Sequence, residues 1–145
     1  MIAIGADHAG FEMKEKIKTL LKSMGVEVQD FGTNSLDSTD YPDYAHKVAE
    51  AISSGTAKQG ILVCGSGIGM AIVANKHNGV RAASVESVEA AKLSRQHNDA
   101  NVLALGARLT PWDRAQEMVK TFLSTAFEGG RHQRRVDKIH TLTNL

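Results

Sequence analysis

Short apolar runs alternate with longer amphipathic stretches along the whole chain. Ile2-Ala3-Ile4-Gly5 reads as a strand beginning at the N-terminus. Phe11, Ile17, Leu20, Leu21 and Met24 recur at helical spacing among lysines and glutamates, and Gly25 supplies a stop. Val26 to Phe31 alternates apolar and polar residues with period two, as a strand near a sheet edge does. A polar loop from Gly32 to Asp40 follows, and Tyr44, Val48 and Ile52 then resume the helical period up to Gly55.

Ile61-Leu62-Val63 is the third strand, and Ala71-Ile72-Val73-Ala74 begins a helix after a glycine-rich loop. Val80 to Val85 reads as a fourth strand, Val88 to His97 as a helix, and Asn101 to Gly106 as a fifth strand. Thr110-Pro111-Trp112-Asp113 predicts a helix start with a hydroxyl cap, proline at the first helical position and a carboxylate three residues after the cap. That helix is expected to reach about Thr125, with Met118, Val119, Phe122 and Leu123 as its apolar side. The tail from Gly129 to Leu145 is helical in character, through Val136, Ile139 and Leu142, and is placed to cover another surface, including that of a second subunit. Strands alternating with helices across short loops imply right-handed βαβ units. The expected architecture is α/β: a single three-layer αβα Rossmann-like domain over residues 1–145, with a parallel sheet of about five strands.

Composition narrows the class rather than the fold. The chain of 145 residues is 42% hydrophobic and 23% charged, with a formal net charge of +1. Such values fit one globular domain and argue against a general nucleic-acid binder. No apolar run approaches the roughly 20 residues of a membrane helix, and the N-terminal residues lack the pattern of a signal peptide. One cysteine allows no disulfide within the chain and no metal-type cysteine spacing. No His/Asp/Glu cluster at metal spacing is evident either. The expectation is a cytoplasmic protein without membrane or nucleic-acid partners.

The segment Cys64-Gly65-Ser66-Gly67-Ile68-Gly69 carries most of the chemistry. It follows a strand and opens a helix, so a row of backbone N–H groups is expected at the positive end of a helix dipole. The dinucleotide fingerprint fails because its third glycine position holds Met70, and the Gly-Lys-Ser/Thr of a P-loop is missing. What remains is a general anion cradle at the carboxyl end of a strand, where open α/β sheets bind ligands. Cys64 has two readings. It is a buried core residue, or a thiol activated by the adjoining helix terminus. Ser66 is either a turn residue or a hydrogen-bonding partner of the sulfur or ligand.

Asp7 and His8 lie on the same rim, as a helix cap and first-turn residue or as ligand contacts. Arg108 follows the fifth strand on that rim as well. His97 and Asn98 instead fall between a helix and the next strand, which places them at the opposite rim in a doubly wound monomer. Arg131 and Arg135 share a helical face, either solvated or clamping a phosphate.

Taken jointly, these segments resemble one family. Asp7-His8-Ala9-Gly10, Asp40-Tyr41-Pro42, the Cys64–Gly69 loop, Ala74-Asn75-Lys76, Ser94 to Asn101 and Glu128-Gly129-Gly130-Arg131-His132 occur in the order found in type B ribose-5-phosphate isomerases. The resemblance covers essentially the whole chain. It implies a metal-free aldose–ketose isomerase without cofactor, acting on ribose 5-phosphate and ribulose 5-phosphate in the pentose phosphate pathway. It further implies Cys64 as the base that moves a proton between C2 and C1 through an enediolate, and His97 as the acid that opens the furanose ring. Substrate binding is implied for Asp7, His8, Gly65, Ser66, Gly67, Ile68, Gly69, Asn98, Arg108, Arg131 and Arg135. Met70 stands where one branch of the family has a glutamate base, so the chain resembles the cysteine branch. The family's homodimer, with shared sites and the C-terminal helix at the interface, would bring His97 to a partner's cleft; a dimer of dimers is a further expected form.

Two other readings stay open on sequence. One is an isomerase of a six-carbon sugar phosphate, such as allose 6-phosphate or galactose 6-phosphate. The other is a non-catalytic sugar-phosphate sensor, which would need the glycine loop and arginines but not both Cys64 and His97.

Overall fold

The computed structural model describes residues 1–145. Five strands form one sheet: β1 (Ile2–Ala6), β2 (Val28–Asp30), β3 (Gln59–Cys64), β4 (Ala82–Ser84) and β5 (Val102–Gly106). Six helices connect or follow them: α1 (Phe11–Ser23), α2 (Tyr41–Ser53), α3 (Ile68–Ala74), α4 (Val88–Asn98), α5 (Trp112–Ser124) and α6 (Arg131–Thr143). Every pairing is parallel, and the spatial order is β2-β1-β3-β5-β4. The expected single α/β domain with a five-stranded parallel sheet is therefore observed.

Alternation along the strands divides the core into two layers. Ile2, Ile4, Ile61, Val63, Leu103 and Leu105 face α1 and α5, where Ile17, Leu21, Met118 and Phe122 close the layer. Ala3, Leu62, Cys64, Val102 and Ala104 face α2 and α3, which contribute Val48, Ile52, Met70 and Ala74. The second layer uses smaller strand residues. Val48 nests between Gly5 and Gly60, its methyl carbons 3.0 and 2.8 Å from where a Cβ would stand on each. Side chains at these two positions would push α2 off the sheet.

The chain leaves β1 toward β2 on one side of the sheet and leaves β3 toward β4 and β5 on the other. The carboxyl ends of β1 and β3 therefore open a crevice at a topological switch point, the usual ligand position in open α/β sheets. Asp7 follows β1 there, and Cys64 ends β3.

Several expected boundaries shift. Strands β2 and β4 are three residues long, although single backbone bonds continue beyond them, from Ile2 N–H to Glu27, Phe31 N–H to Ile4 and Asn101 N–H to Arg81. Helix α4 extends one residue further, to Asn98. Helix α5 begins at Trp112, with Pro111 in extended geometry as its cap. Thr110 is not the expected cap: its N–H bonds Gly106 in the turn after β5, and its buried hydroxyl makes no hydrogen bond. Asp7 does not cap α1 directly, since Gly10 holds the cap position; Asp7 Oδ1 accepts from Gly10 N–H at 3.1 Å and braces the preceding turn.

One ionic cluster lies on the first layer. Lys14, fully buried, reaches Asp30 at 2.5 Å, and Lys18 reaches the same oxygen at 2.8 Å. Burial pushes the Asp30 carboxyl up, but its bonds to Lys14, Lys18 and the Gly32 N–H outweigh that effect and hold it below the usual carboxylate range. The hydrogen bond to Asp30 raises Lys18 in turn. This cluster ties α1 to the end of β2.

Candidate active site

A cleft of about 580 Å³ opens at the switch point, lined by Asp7, Tyr41, Cys64, Gly65, Ser66, Ile68, Gly69, Ile72, Arg108 and Leu109. Seven of the residues singled out on sequence thus meet in one place. Cys64 is buried as the last residue of β3, and its sulfur accepts the Gly67 N–H at 3.1 Å. A charge-accepting sulfur gains from such a donor.

Gly67 makes this geometry possible. It caps α3 at φ +81°, a conformation that L side chains rarely adopt, and a Cβ there would lie 2.9 Å from the Leu105 carbonyl carbon. The loop therefore sits directly against β5. The expected continuous row of free amides is interrupted: Gly67 donates to Cys64, and Ile68 donates to Ser66 Oγ at 3.2 Å. The N–H groups of Gly65, Ser66 and Gly69 make no hydrogen bond within the chain and remain as donors for a ligand. Arg108 folds over Gly65, its backbone N–H bonding the Gly65 carbonyl at 3.0 Å.

His8 lies beside the cleft and is held by the Gly32–Asp40 loop: Thr39 N–H donates to its Nδ1 at 3.2 Å, so any proton on the neutral ring is at Nε2. Tyr41, at the start of α2, packs its ring over Gly69 and forms a wall of the cleft. It was given no separate role on sequence. The signal available was its place at the end of the polar loop, immediately before a helix-starting proline.

The remaining predicted residues are elsewhere in the chain. His97 and Asn98 end α4, at the amino ends of the strands, and Arg131 and Arg135 lie on α6. The five-residue strand β5 alone spans about 16 Å between the two rims. One chain therefore does not bring Cys64 and His97 together.

Around His97 a second constellation forms. Its imidazole stacks on His132 with ring centroids 4.4 Å apart, and Glu128 Oε1 lies 3.4 Å from His97 Nε2 and 3.5 Å from His132 Nε2. Burial, then the neighbouring His97 and Arg131, push the His132 imidazole below the ordinary histidine value. The potential ligand atoms of His97, Glu128 and His132 all lie within 4.8 Å of one another. Glu128, in the loop before α6, and His132, on its first turn, are four residues apart in the sequence, and the fold brings His97 to them from the end of α4. No helix is long and apolar enough to cross a membrane.

A parallel sheet with a cysteine and free amides at its switch point defines a small-molecule site of the α/β type. The class is narrower than that: the chain belongs to the Ribose/Galactose Isomerase family, whose model matches residues 2–139. It is 49% identical over 138 residues to ribose-5-phosphate isomerase B of Escherichia coli (strain K12), covering 95% of this chain and 93% of that protein. Its fold matches a solved structure of ribose-5-phosphate isomerase B from Clostridium thermocellum with a TM-score of 0.97 at 49% identity, covering 99% and 97% of the two chains. A structure of the Mycoplasma genitalium enzyme with bound ribulose-5-phosphate is similar with a TM-score of 0.95 at 44% identity, covering 99% of this chain and 95% of that one.

Proposed function

We infer that this chain interconverts ribose 5-phosphate and ribulose 5-phosphate as an aldose–ketose isomerase. Family membership and near-complete similarity to enzymes of that name support the reading. The observation that carries it is the juxtaposition of Cys64 Sγ with unpaired loop amides in the switch-point cleft.

The chemistry follows from those groups. Removing a proton next to a carbonyl places negative charge on oxygen, and fixed N–H donors stabilise that charge without reorganising. Gly65, Ser66 and Gly69 are the donors assigned to this task. Cys64 is the base that carries the proton between C2 and C1. His97 is the ring-opening acid, supplied to the cleft by a second copy of the chain. Asp7, His8, Asn98 and Arg108 hold the sugar, and Arg131 and Arg135 hold its phosphate, fixing the reacting carbons by binding at the far end.

A homodimer with shared sites answers the separation of the two rims. Its support is the apolar surface left open beside the cleft and along α6: Ile68, Ile72, Leu109, Ile139 and Leu142 are all exposed, Leu142 at 78%. A reduced thiol in the catalytic position suits a cytoplasmic enzyme of pentose phosphate metabolism.

The test is a side-by-side assay of the purified chain on ribose 5-phosphate, allose 6-phosphate and galactose 6-phosphate in deuterated water. Ketose formation from ribose 5-phosphate, with solvent deuterium entering the product by proton transfer, is the expected result. Turnover confined to a six-carbon substrate would replace the substrate assignment. Binding without turnover of any of the three would make the chain a sensor.

A further inference from the structure

Away from the cleft, His97, Glu128 and His132 stand together without any task assigned to two of them. We propose that these three side chains form a binding site for a borderline divalent cation, Zn²⁺ foremost, and that loading this site switches the isomerase off. The inhibitory half rests on the role given to His97 above.

The geometry is close to what such an ion requires. A tetrahedral Zn²⁺ with bonds of about 2.0–2.1 Å keeps its ligand atoms about 3.3–3.4 Å apart. Glu128 Oε1 already lies 3.4 and 3.5 Å from the two imidazole Nε2 atoms, so two of the three edges have the needed length. The third edge closes when the His97 ring turns out of its near-parallel stack, 14° from the plane of His132. His97 has room to do so, its side chain being 40% exposed, whereas that of His132 is 10% exposed and serves as the fixed ligand.

The backbone holds the three residues in register. Glu128 N–H donates to the Gln96 carbonyl at 3.1 Å, tying its loop to the last turn of α4 beside His97. His132 N–H donates to the Gly129 carbonyl at 3.0 Å as α6 begins. Two imidazoles and a carboxylate form a three-ligand set that leaves a fourth position open. The nitrogen donors favour Zn²⁺ and its neighbours over Mg²⁺ and Ca²⁺, which take oxygen ligands. Arg131 and Arg135 oppose the ion by charge and lower the affinity below that of an uncharged surround. An ion on His97 Nε2 occupies the atom that would otherwise carry the proton for ring opening.

A second histidine pair is the internal control. His46 Nδ1 and His77 Nε2 are 2.8 Å apart, and the other His46 nitrogen faces Glu50 at 3.3 Å, so both His46 nitrogens are already engaged.

The experiment is calorimetric titration of the full chain with ZnCl₂, paired with turnover of ribose 5-phosphate in zinc and after EDTA. One ion per chain is expected. His132→Gln and Glu128→Gln should each weaken binding by about tenfold or more, with melting curves showing that both variants fold. His46→Asn should leave the affinity unchanged. Wild-type turnover should fall with zinc occupancy and return with EDTA. Equal zinc affinity in wild type, His132→Gln and Glu128→Gln would overturn the site, as would loss of binding in His46→Asn. Zinc bound through His132 and Glu128 with turnover unaffected would support the site but overturn the inhibition, and with it the role of His97 rather than the isomerase assignment.

Discussion

The Gly67 N–H points at Cys64 Sγ across 3.1 Å, so the sulfur and the glycine loop form one unit rather than two neighbouring features. If that sulfur is the base, Cys64→Ala removes proton transfer while leaving the loop amides and arginines in place. Ribulose 5-phosphate formation should fall by at least about 10²–10⁴-fold. Calorimetric binding of ribose 5-phosphate should persist. Near-normal turnover would remove Cys64 from the mechanism.

Gly67→Ala should injure fold and site together. The new methyl meets the β5 backbone at Leu105 and must accept a left-handed φ. A loss of about 1–3 kcal/mol in urea unfolding is expected. Activity should drop further than stability accounts for, since the amide that meets Cys64 moves with the loop.

Asp30→Asn tests the ionic cluster. It leaves the buried Lys14 ammonium with only the half-exposed Glu15 carboxylate, 3.4 Å away, and should destabilise the chain by up to about 3 kcal/mol. The pH dependence has a definite sign. Asp30 is held below its unfolded value in the fold, so its contribution is present above the ordinary aspartate range and lost as pH falls through the depressed folded value. Urea midpoints measured across the acid range should therefore fall less steeply in Asp30→Asn than in wild type.

A shared site makes a prediction about mixtures. Cys64→Ala and His97→Asn chains, each inactive alone, should regain activity when unfolded and refolded together. In a mixed dimer one cleft receives both intact residues and the other neither. Random assortment should restore about a quarter of wild-type activity. No recovery, with mixed dimers shown to form, would place His97 outside the partner's cleft.

Much of this molecule is legible in its residues, and the reasons differ from place to place. Continuous apolar runs reveal β1 and β3, which are buried on both faces, and the 3.6-residue period reveals α1 and α5, which each bury one. The ends of β2 and β4 were not legible, since pairing at an edge depends on a neighbour that local sequence does not name. The order β2-β1-β3-β5-β4 has the same cause. Thr110 looked like a cap, yet the turn after β5 takes its backbone and buries its hydroxyl. At the site, Cys64 and the loop were legible because they are contiguous. Of the His97–Glu128–His132 grouping only the four-residue spacing of Glu128 and His132 was there to read, since the fold alone brings His97 to them from α4.

The edge strands carry a last consequence. Both β2 and β4 expose only three residues of ladder, too little to template another strand. The sheet is thereby closed to end-to-end growth. The sticky surface of this chain is helical instead, on α3 and α6, where contact is made by side chains and is specific in register. A molecule built this way can associate face to face without opening a route to fibrils.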